Sequence, residues 1–139
     1  MKQRTPAFRF TATIDAPLGD AAARTTAALA AEGFGVLVAT DVQRIFRDQL
    51  GVEFEPYVIL GVWNADLAWR ALHADIDIGL LLPCNVIVRQ RGDRSTVAAV
   101  DPERLWRLAG DDPELRAVAE GASSHLRRAF DALEASAPA

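Results

Sequence analysis

The chain has 139 residues, of which 50% are hydrophobic and 24% are charged. This composition excludes a disordered chain, and the length predicts one domain spanning residues 1–139. Fifteen lysine and arginine residues against nineteen aspartate and glutamate residues leave a formal charge of -4. Because no basic face is available to neutralise phosphates, the sequence predicts no nucleic-acid partner.

The N-terminus, MKQRTPAFRF, lacks the apolar core of a signal peptide, and no later apolar run has the length of a membrane span. We therefore expect a cytoplasmic protein without a membrane partner. The single cysteine, Cys84, cannot form an internal disulfide, which agrees with a reducing compartment. The last residues, 135–139, are small and predict a loose tail.

The first half of the chain alternates strand and helix signals. Residues 7–14 alternate apolar and polar side chains, which is typical of a half-buried strand. Gly33 and Gly51 are placed to end helices, and Asp41 and Asn64 are placed to begin them. The pattern predicts strands at 7–14, 34–40 and 57–63, and helices from 18 or 20 to 32, from 42 to 50 and from 65 to 73.

The second half predicts a hairpin followed by helices. The hairpin has strands Leu80–Arg89 and Ser95–Val100, and Gly92 supplies the turn between them. Asp101 and Asp112 each precede a proline, which is a common way to begin a helix. The last helix carries an apolar stripe whose members are Leu115, Ala119, Ala122, Leu126, Phe130 and Leu133.

Five strands and about five helices in mixed order predict a two-layer α+β domain with helices packed on a sheet. The hairpin must be antiparallel. The early strand–helix–strand unit is long enough for a parallel crossover, so we expect a mixed sheet of about five strands.

The stretch Gly79–Val88 is the longest apolar run and predicts a central strand with a site built into it. Alternation places Cys84 on one face and both Pro83 and Asn85 on the other. In one interpretation Cys84 is a thiol at a pocket mouth, with a pKa lowered by a positive group, and Asn85 fixes a ligand. In the other, Cys84 is a small hydrophobic core residue.

A second candidate is the end of the preceding strand, Gly61–Asn64. Asn64 could present its side chain to a ligand beside free helix N–H groups, or it could simply cap the helix. The sequence therefore indicates Gly61, Asn64, Cys84 and Asn85 as candidate ligand-binding residues. Cys84 is the one candidate for catalysis, and no catalytic residue is assigned.

Metals and cofactors are not predicted. His73 and His125 do not form a recognised ligand spacing with Cys84. The sequence contains no glycine-rich phosphate loop and no nucleophile elbow. The three tryptophans, Trp63, Trp69 and Trp106, fall in three different elements and are expected to anchor the core or an interface.

The sequence resembles a bacterial and archaeal family, the domain of unknown function 302 (DUF302), also called TT1751-like. The matching residues occur in the same order over residues 14–133. The strongest match is residues 79–86, GLLLPCNV. The others are Ala16-Pro17, residues 32–37 (EGFGVL), Asp41-Val42, Leu50-Gly51-Val52, Pro56-Tyr57, Ile59-Leu60-Gly61 with Asn64, Ala71-Leu72 and Asp101-Pro102.

This resemblance implies a compact α+β domain that forms a homodimer, and it brings no established activity. The family often carries a cysteine where this chain has Val62, which weakens a redox role for Cys84. Three functions remain open. They are a homodimeric domain that binds a small molecule near the strand containing Cys84, a Cys84-dependent redox sensor or enzyme, and a purely structural dimerisation domain.

Overall fold

The computed structural model describes residues 8–135. The strands are β1 (Arg9–Ile14), β2 (Phe34–Asp41), β3 (Tyr57–Asn64), β4 (Cys84–Arg91) and β5 (Arg94–Val100). The helices are α1 (Leu18–Ala31), α2 (Val42–Leu50), α3 (Ala65–Ala74), α4 (Pro102–Leu105) and α5 (Pro113–Ala135), with 3₁₀ helices at Ile76–Leu81 and Trp106–Ala109. The predicted strand start at Ala7 lies outside the described residues, as do residues 136–139 of the predicted tail. Ala135, predicted to begin the tail, is instead the last residue of α5.

The strands form a five-stranded sheet in the order β1-β5-β4-β3-β2, which confirms the α+β fold class and the central position of β4. Every neighbouring pair is antiparallel, so the prediction of a mixed sheet was wrong. β1 and β2 do run in the same direction, but they lie at opposite edges with three strands between them. α1 therefore carries the chain across the sheet, and the expected parallel pair does not form.

The main core lies between the sheet and the helices α1 and α5. Alternate residues of the strands face these helices, as their period of two requires. The buried side chains contributed by the strands are Ala12, Ile14, Phe34, Leu60, Val62, Cys84, Val86, Val88, Val97 and Ala99, and those contributed by α1 and α5 are Ala21, Leu29, Leu126, Ala129, Phe130 and Leu133.

A second core lies between α3 and the first half of α5. Its buried members are Leu67, Ala71, Ile78, Trp106, Leu115, Val118, Ala119 and Ala122. Leu82, just before β4, packs against both cores. The six residues of the predicted stripe on α5 are all buried, so this helix joins the two cores.

The predicted helix ends are confirmed. Asp41 accepts the Arg44 N–H and Asp112 accepts the Leu115 N–H, each at 3.0 Å. Asp101 accepts the Glu103 N–H at 3.0 Å and begins the short helix α4. Gly33 and Gly51 adopt φ values of 84° and 65°, the left-handed conformation that glycine tolerates best.

The hairpin strand begins later than predicted. Gly79, Leu80 and Leu81 lie in a 3₁₀ helix, and β4 starts at Cys84. Asp75 accepts the Asp77 N–H at 3.0 Å and begins this helical turn. Pro83 has no N–H to donate to a strand ladder, so the apolar run cannot continue as one strand.

Candidate functional site

The four predicted ligand-binding residues fall on two faces of the sheet. Cys84 lies opposite Val62 and is buried, whereas Asn85 lies opposite Gly61 and is exposed. Gly61 and Asn85 therefore share the face that the main core does not cover. Asn64 and Cys84 both line a narrow space on the side of the helices. The structure thus brings Asn64 and Cys84 together and separates them from Gly61 and Asn85.

Gly61 has a packing role. A Cβ atom at this position would lie 2.7 Å from Val38 Cγ1 and 3.0 Å from Pro83 Cγ. The side chains of Val38 and Pro83 therefore occupy the space that any larger residue at position 61 would need. The bond between Leu82 and Pro83 is cis.

Asn64 uses both ends of its amide to hold the backbone. Its Oδ1 accepts the Leu67 N–H at 3.2 Å, and its Nδ2 donates to the Glu32 carbonyl at 3.4 Å. The first bond caps α3, as one of the two sequence interpretations expected. A Cβ atom on Gly33 would lie 2.7 Å from Asn64 Nδ2, so the glycine that ends α1 also makes room for this amide.

Cys84 is held in the core as a neutral thiol. Its side chain is 4% exposed, and burial raises the pKa of the thiol to about 11. Desolvation disfavours the thiolate, and the thiolate is the form that reacts as a nucleophile. This environment is the opposite of the lowered pKa expected for a reactive cysteine.

A charged cluster next to Asn64 joins the end of α1 to α5. Glu32 Oε1 accepts the Arg128 Nε–H at 2.9 Å and lies 3.0 Å from His125 Nδ1. The hydrogen bonds from His125 and then Arg128 hold the pKa of Glu32 below its ordinary value. Sequence reasoning missed this cluster, although the spacing of three between His125 and Arg128 places both side chains on one side of α5.

The narrow space that contains Asn64 and Cys84 is here called the inner crevice. Its volume is about 10 Å³, close to the minimum for a single water molecule. It is lined by Phe34, Trp63, Asn64, Leu67, Ala68, Leu82, Cys84, Trp106 and Ala122. A small organic molecule does not fit in it with the side chains in these positions.

A much larger space, here called the outer groove, also borders Trp106. Its volume is about 650 Å³, and Trp106 lines both it and the inner crevice. Trp106, Leu115 and Ala119 are buried and form an apolar floor. The remaining lining residues are Gly110 and five charged residues that form a polar rim, namely Glu103, Arg107, Asp111, Arg116 and Glu120.

Two predicted caps position the outer groove. Asp101 begins the short segment that carries Trp106, and Asp112 begins α5, which contributes Leu115. Between them, Gly110 has a φ of 111°, a conformation that side chains other than glycine rarely adopt. Sequence reasoning found both caps and expected Trp106 to be a core anchor, but periodicity carries no information about a space between two segments.

The rim carries charges of both signs. Arg116 forms an ion pair with Asp111. Among the described residues, the side chains of Glu103, Arg107 and Glu120 have no hydrogen-bond or ion-pair partner. The outer groove therefore offers one free guanidinium and two free carboxylates above an apolar floor.

Within residues 8–135, no three histidine, cysteine, aspartate or glutamate side chains lie close enough together to hold a metal ion. No helix in this range is long and apolar enough to span a membrane. Trp69, which was expected to anchor the core or an interface, is 66% exposed, and its ring contacts that of His73 in a tilted arrangement with 4.3 Å between ring centroids.

The model of the domain of unknown function DUF302 matches residues 10–133. The chain belongs to the DUF302 family. Its fold is similar to a crystal structure of an uncharacterised conserved DUF302 protein from Bacillus stearothermophilus, with a TM-score of 0.82 and 28% sequence identity. The similarity covers 91% of this chain and 98% of the other. No curated protein matches the chain. The resemblance seen in the sequence is thus confirmed, and it brings no activity with it.

Proposed function

We propose that this single-domain DUF302 protein is a cytoplasmic, non-enzymatic, homodimeric domain that binds a small molecule in the outer groove. The observation that carries the proposal is the size and lining of this groove. A volume of about 650 Å³ is in the range of small-molecule sites, which combine an apolar floor with a few polar groups. The groove has both components in Trp106, Leu115 and Ala119 and in the charged side chains around them, but with five charged residues among nine its lining is more polar than that of most such sites.

Two of the four residues predicted from sequence to bind a ligand lie close to the outer groove. Asn64 and Cys84 line the inner crevice together with Trp106, which also lines the outer groove. They therefore support the wall of the proposed binding site and do not need to contact the ligand. Asn85 lies on the opposite face of the sheet, so binding there would require a separate surface.

Two features support a non-enzymatic role over the redox alternative. Cys84 is buried and its thiol has a pKa of about 11, which disfavours the thiolate that redox chemistry needs. The outer groove, which has room for a substrate, is lined by carboxylates and guanidinium groups and contains no cysteine or histidine. The rim can orient a ligand, but it supplies no nucleophile paired with a base.

Native mass spectrometry of the untagged protein, followed by its denatured mass, tests this proposal. We expect a reproducible extra mass that is lost on denaturation. We further expect Arg107→Ala to lower the occupied fraction severalfold, because it removes the free guanidinium of the rim. Arg47→Ala, an exposed change on α2, is the matched control and should retain the ligand.

Two results would contradict the placement of the site. Equal occupancy in the Arg107→Ala and Arg47→Ala variants would show that the rim is not used. Loss of the ligand in Asn85→Ala, with full occupancy in Arg107→Ala, would move the site to the opposite face of the sheet.

A further inference from the structure

The indole of Trp106 contains a buried polar group without a partner. The side chain is 4% exposed, and its Nε1 has less than 1 Å² of accessible surface. Among the described residues, no atom accepts a hydrogen bond from this N–H. Buried tryptophan N–H groups usually have an acceptor, because the loss of hydration is otherwise uncompensated.

The inner crevice offers Trp106 no free side-chain acceptor. Asn64 is the amide in this space, and its Oδ1 already accepts the Leu67 N–H. Cys84 is a neutral thiol and a weak acceptor. The remaining side chains that line the crevice are Phe34, Trp63, Leu67, Ala68, Leu82 and Ala122, and none of them carries an acceptor oxygen. None of the side chains that line the crevice therefore supplies the acceptor that Trp106 lacks.

We propose that the outer groove takes a neutral ligand with an apolar body and a hydrogen-bond-accepting oxygen at the floor, and that this oxygen accepts the Nε1–H of Trp106. This inference rests on the proposed function of the groove and adds the chemical class of its ligand. An indole N–H can only donate, so the missing partner is an acceptor. The apolar floor of Trp106, Leu115 and Ala119 accounts for the apolar body.

The ligand oxygen is expected to be uncharged because it would lie at the apolar floor of the outer groove. A charge buried there would lose its hydration and would need a charged partner at the same depth. The charged side chains of the groove lie on the rim, where Arg116 is already paired with Asp111. A carbonyl or amide oxygen meets the requirement without this desolvation cost.

Binding in this way requires a small movement of the indole. Because Nε1 has almost no accessible surface, the ring must turn toward the groove before a ligand can reach its N–H. Trp106 also lines the inner crevice, so its movement loosens the wall beside Cys84. Trp106 thus becomes a specificity-determining residue whose movement changes the accessibility of the buried thiol.

The test uses three probes that share one aromatic ring: benzamide, benzoate and benzylamine. The protein is labelled with ¹⁵N at the indole nitrogens, and Trp106→Phe assigns the Trp106 signal by its disappearance. We expect benzamide to move this signal downfield in a saturable way, while the exposed Trp69, which lines neither space, serves as the internal control. Benzylamine, which is protonated and has no acceptor, should leave the signal in place.

Affinities measured in the same titrations test the selectivity. We expect benzoate to bind more weakly than benzamide, because its charge must be desolvated. Trp106→Phe should weaken benzamide binding by about fivefold, the usual contribution of one hydrogen bond, and leave benzylamine unchanged. A Trp106 shift as large with benzylamine as with benzamide, or tighter binding of benzoate, would overturn the proposal.

The backbone amides of Arg107 and Gly110 separate this inference from the proposed function. If benzamide moves these amides while the Trp106 signal stays in place, the groove binds ligands and the assigned ligand class is wrong. If none of the three probes moves them, this inference fails, and the proposed function fails with it only if the purified protein also retains no extra mass.

A second measurement needs no variant and therefore does not depend on the folding of Trp106→Phe. Alkylation of Cys84 by iodoacetamide in the wild-type protein should become several times faster at saturating benzamide, because the indole leaves the crevice wall. Saturating benzylamine is the control and should not change the rate. An unchanged rate with benzamide would show that the indole does not move and would contradict the proposal.

Discussion

Asn64 is the residue at which a structural role and a binding role compete most directly. Both ends of its amide hold backbone groups, one on α3 and one at the end of α1. A ligand that took either end would have to break a bond that stabilises a helix end, typically worth about 1 kcal/mol. Asn64 therefore supports the wall of the site, and Trp106 and the rim of the outer groove are better placed to contact a ligand.

Cys84 gives a direct test of the redox alternative at the residue scale. Burial raises the pKa of its thiol from an ordinary value of 9.0 to about 11, so near neutral pH the thiolate fraction is about a hundredfold smaller. We expect iodoacetamide to alkylate Cys84 at least about a hundredfold more slowly in the folded protein than in urea. Mass spectrometry over time measures both rates.

The Cys84→Ser variant controls for labelling at other residues. A rate in the folded protein close to that of the unfolded chain, with a titration midpoint below the ordinary thiol value, would restore the redox function. Slow alkylation with a titration midpoint above the ordinary thiol value would agree with a buried core thiol. It would favour the small-molecule proposal over the redox alternative.

At the scale of elements, the contact between α1 and α5 depends on the ionised form of Glu32. His125 and Arg128 hold the pKa of Glu32 below its unfolded value of 4.5. The stabilisation is therefore fully present above the unfolded pKa and is lost as the pH falls through the lower folded pKa. We expect Glu32→Gln to lower the free energy of unfolding near neutral pH, and we expect this difference to shrink below about pH 4.5.

Urea unfolding at a series of pH values measures this effect. Asp131→Asn removes an exposed carboxylate from α5 and is the matched control, because no ion pair involves Asp131 among the described residues. A Glu32→Gln effect that stays constant down to the most acid pH would show that charge does not hold the two helices together.

At the scale of the whole molecule, the edge strand β2 is the surface best suited to the proposed homodimer. β2 lies at one edge of the described sheet and carries three consecutive exposed apolar residues, Val36, Leu37 and Val38. The exposed apolar side chains of the following segment, Leu50, Val52 and Phe54, extend this surface. Two antiparallel copies of one edge strand are related by a two-fold axis, so a second copy of β2 is a self-complementary partner.

We expect the wild-type protein to be a dimer at about 10 µM and Leu37→Lys to dissociate it, because a charge on the edge strand blocks strand addition. Leu108→Lys is the matched control and should remain dimeric. Leu37 is 49% exposed and Leu108 is 79% exposed, but Leu108 lies far along the chain, in the 3₁₀ helix after α4.

Light scattering after size-exclusion chromatography gives the mass of each variant. A monomeric wild-type protein would contradict the homodimer, and dissociation by Leu108→Lys alone would move the interface to the surface around Leu108. A stable dimer that never retains a small molecule would favour the purely structural alternative.

Most helices and strands were predictable because their signals are local. The caps Asp41, Asn64, Asp101 and Asp112, and the apolar stripe of α5, depend on residues within a few positions of one another. Alternation likewise predicted that Cys84 and Asn85 point to opposite faces. The start of β4 was wrong because the apolar run Gly79–Leu82 is equally compatible with a helical turn, and the capping bond of Asp75 selects that turn.

The sequence by itself determined the family, the α+β class and the inward orientation of Cys84, since each follows from residues near one another in the chain. Only the tertiary structure decided that β1 and β2 occupy opposite edges, because strand order depends on hydrogen bonds between distant segments. It also decided that Trp106 lines both the outer groove and the inner crevice. A space between packed segments is defined by their relative placement, and no periodicity along the chain encodes it.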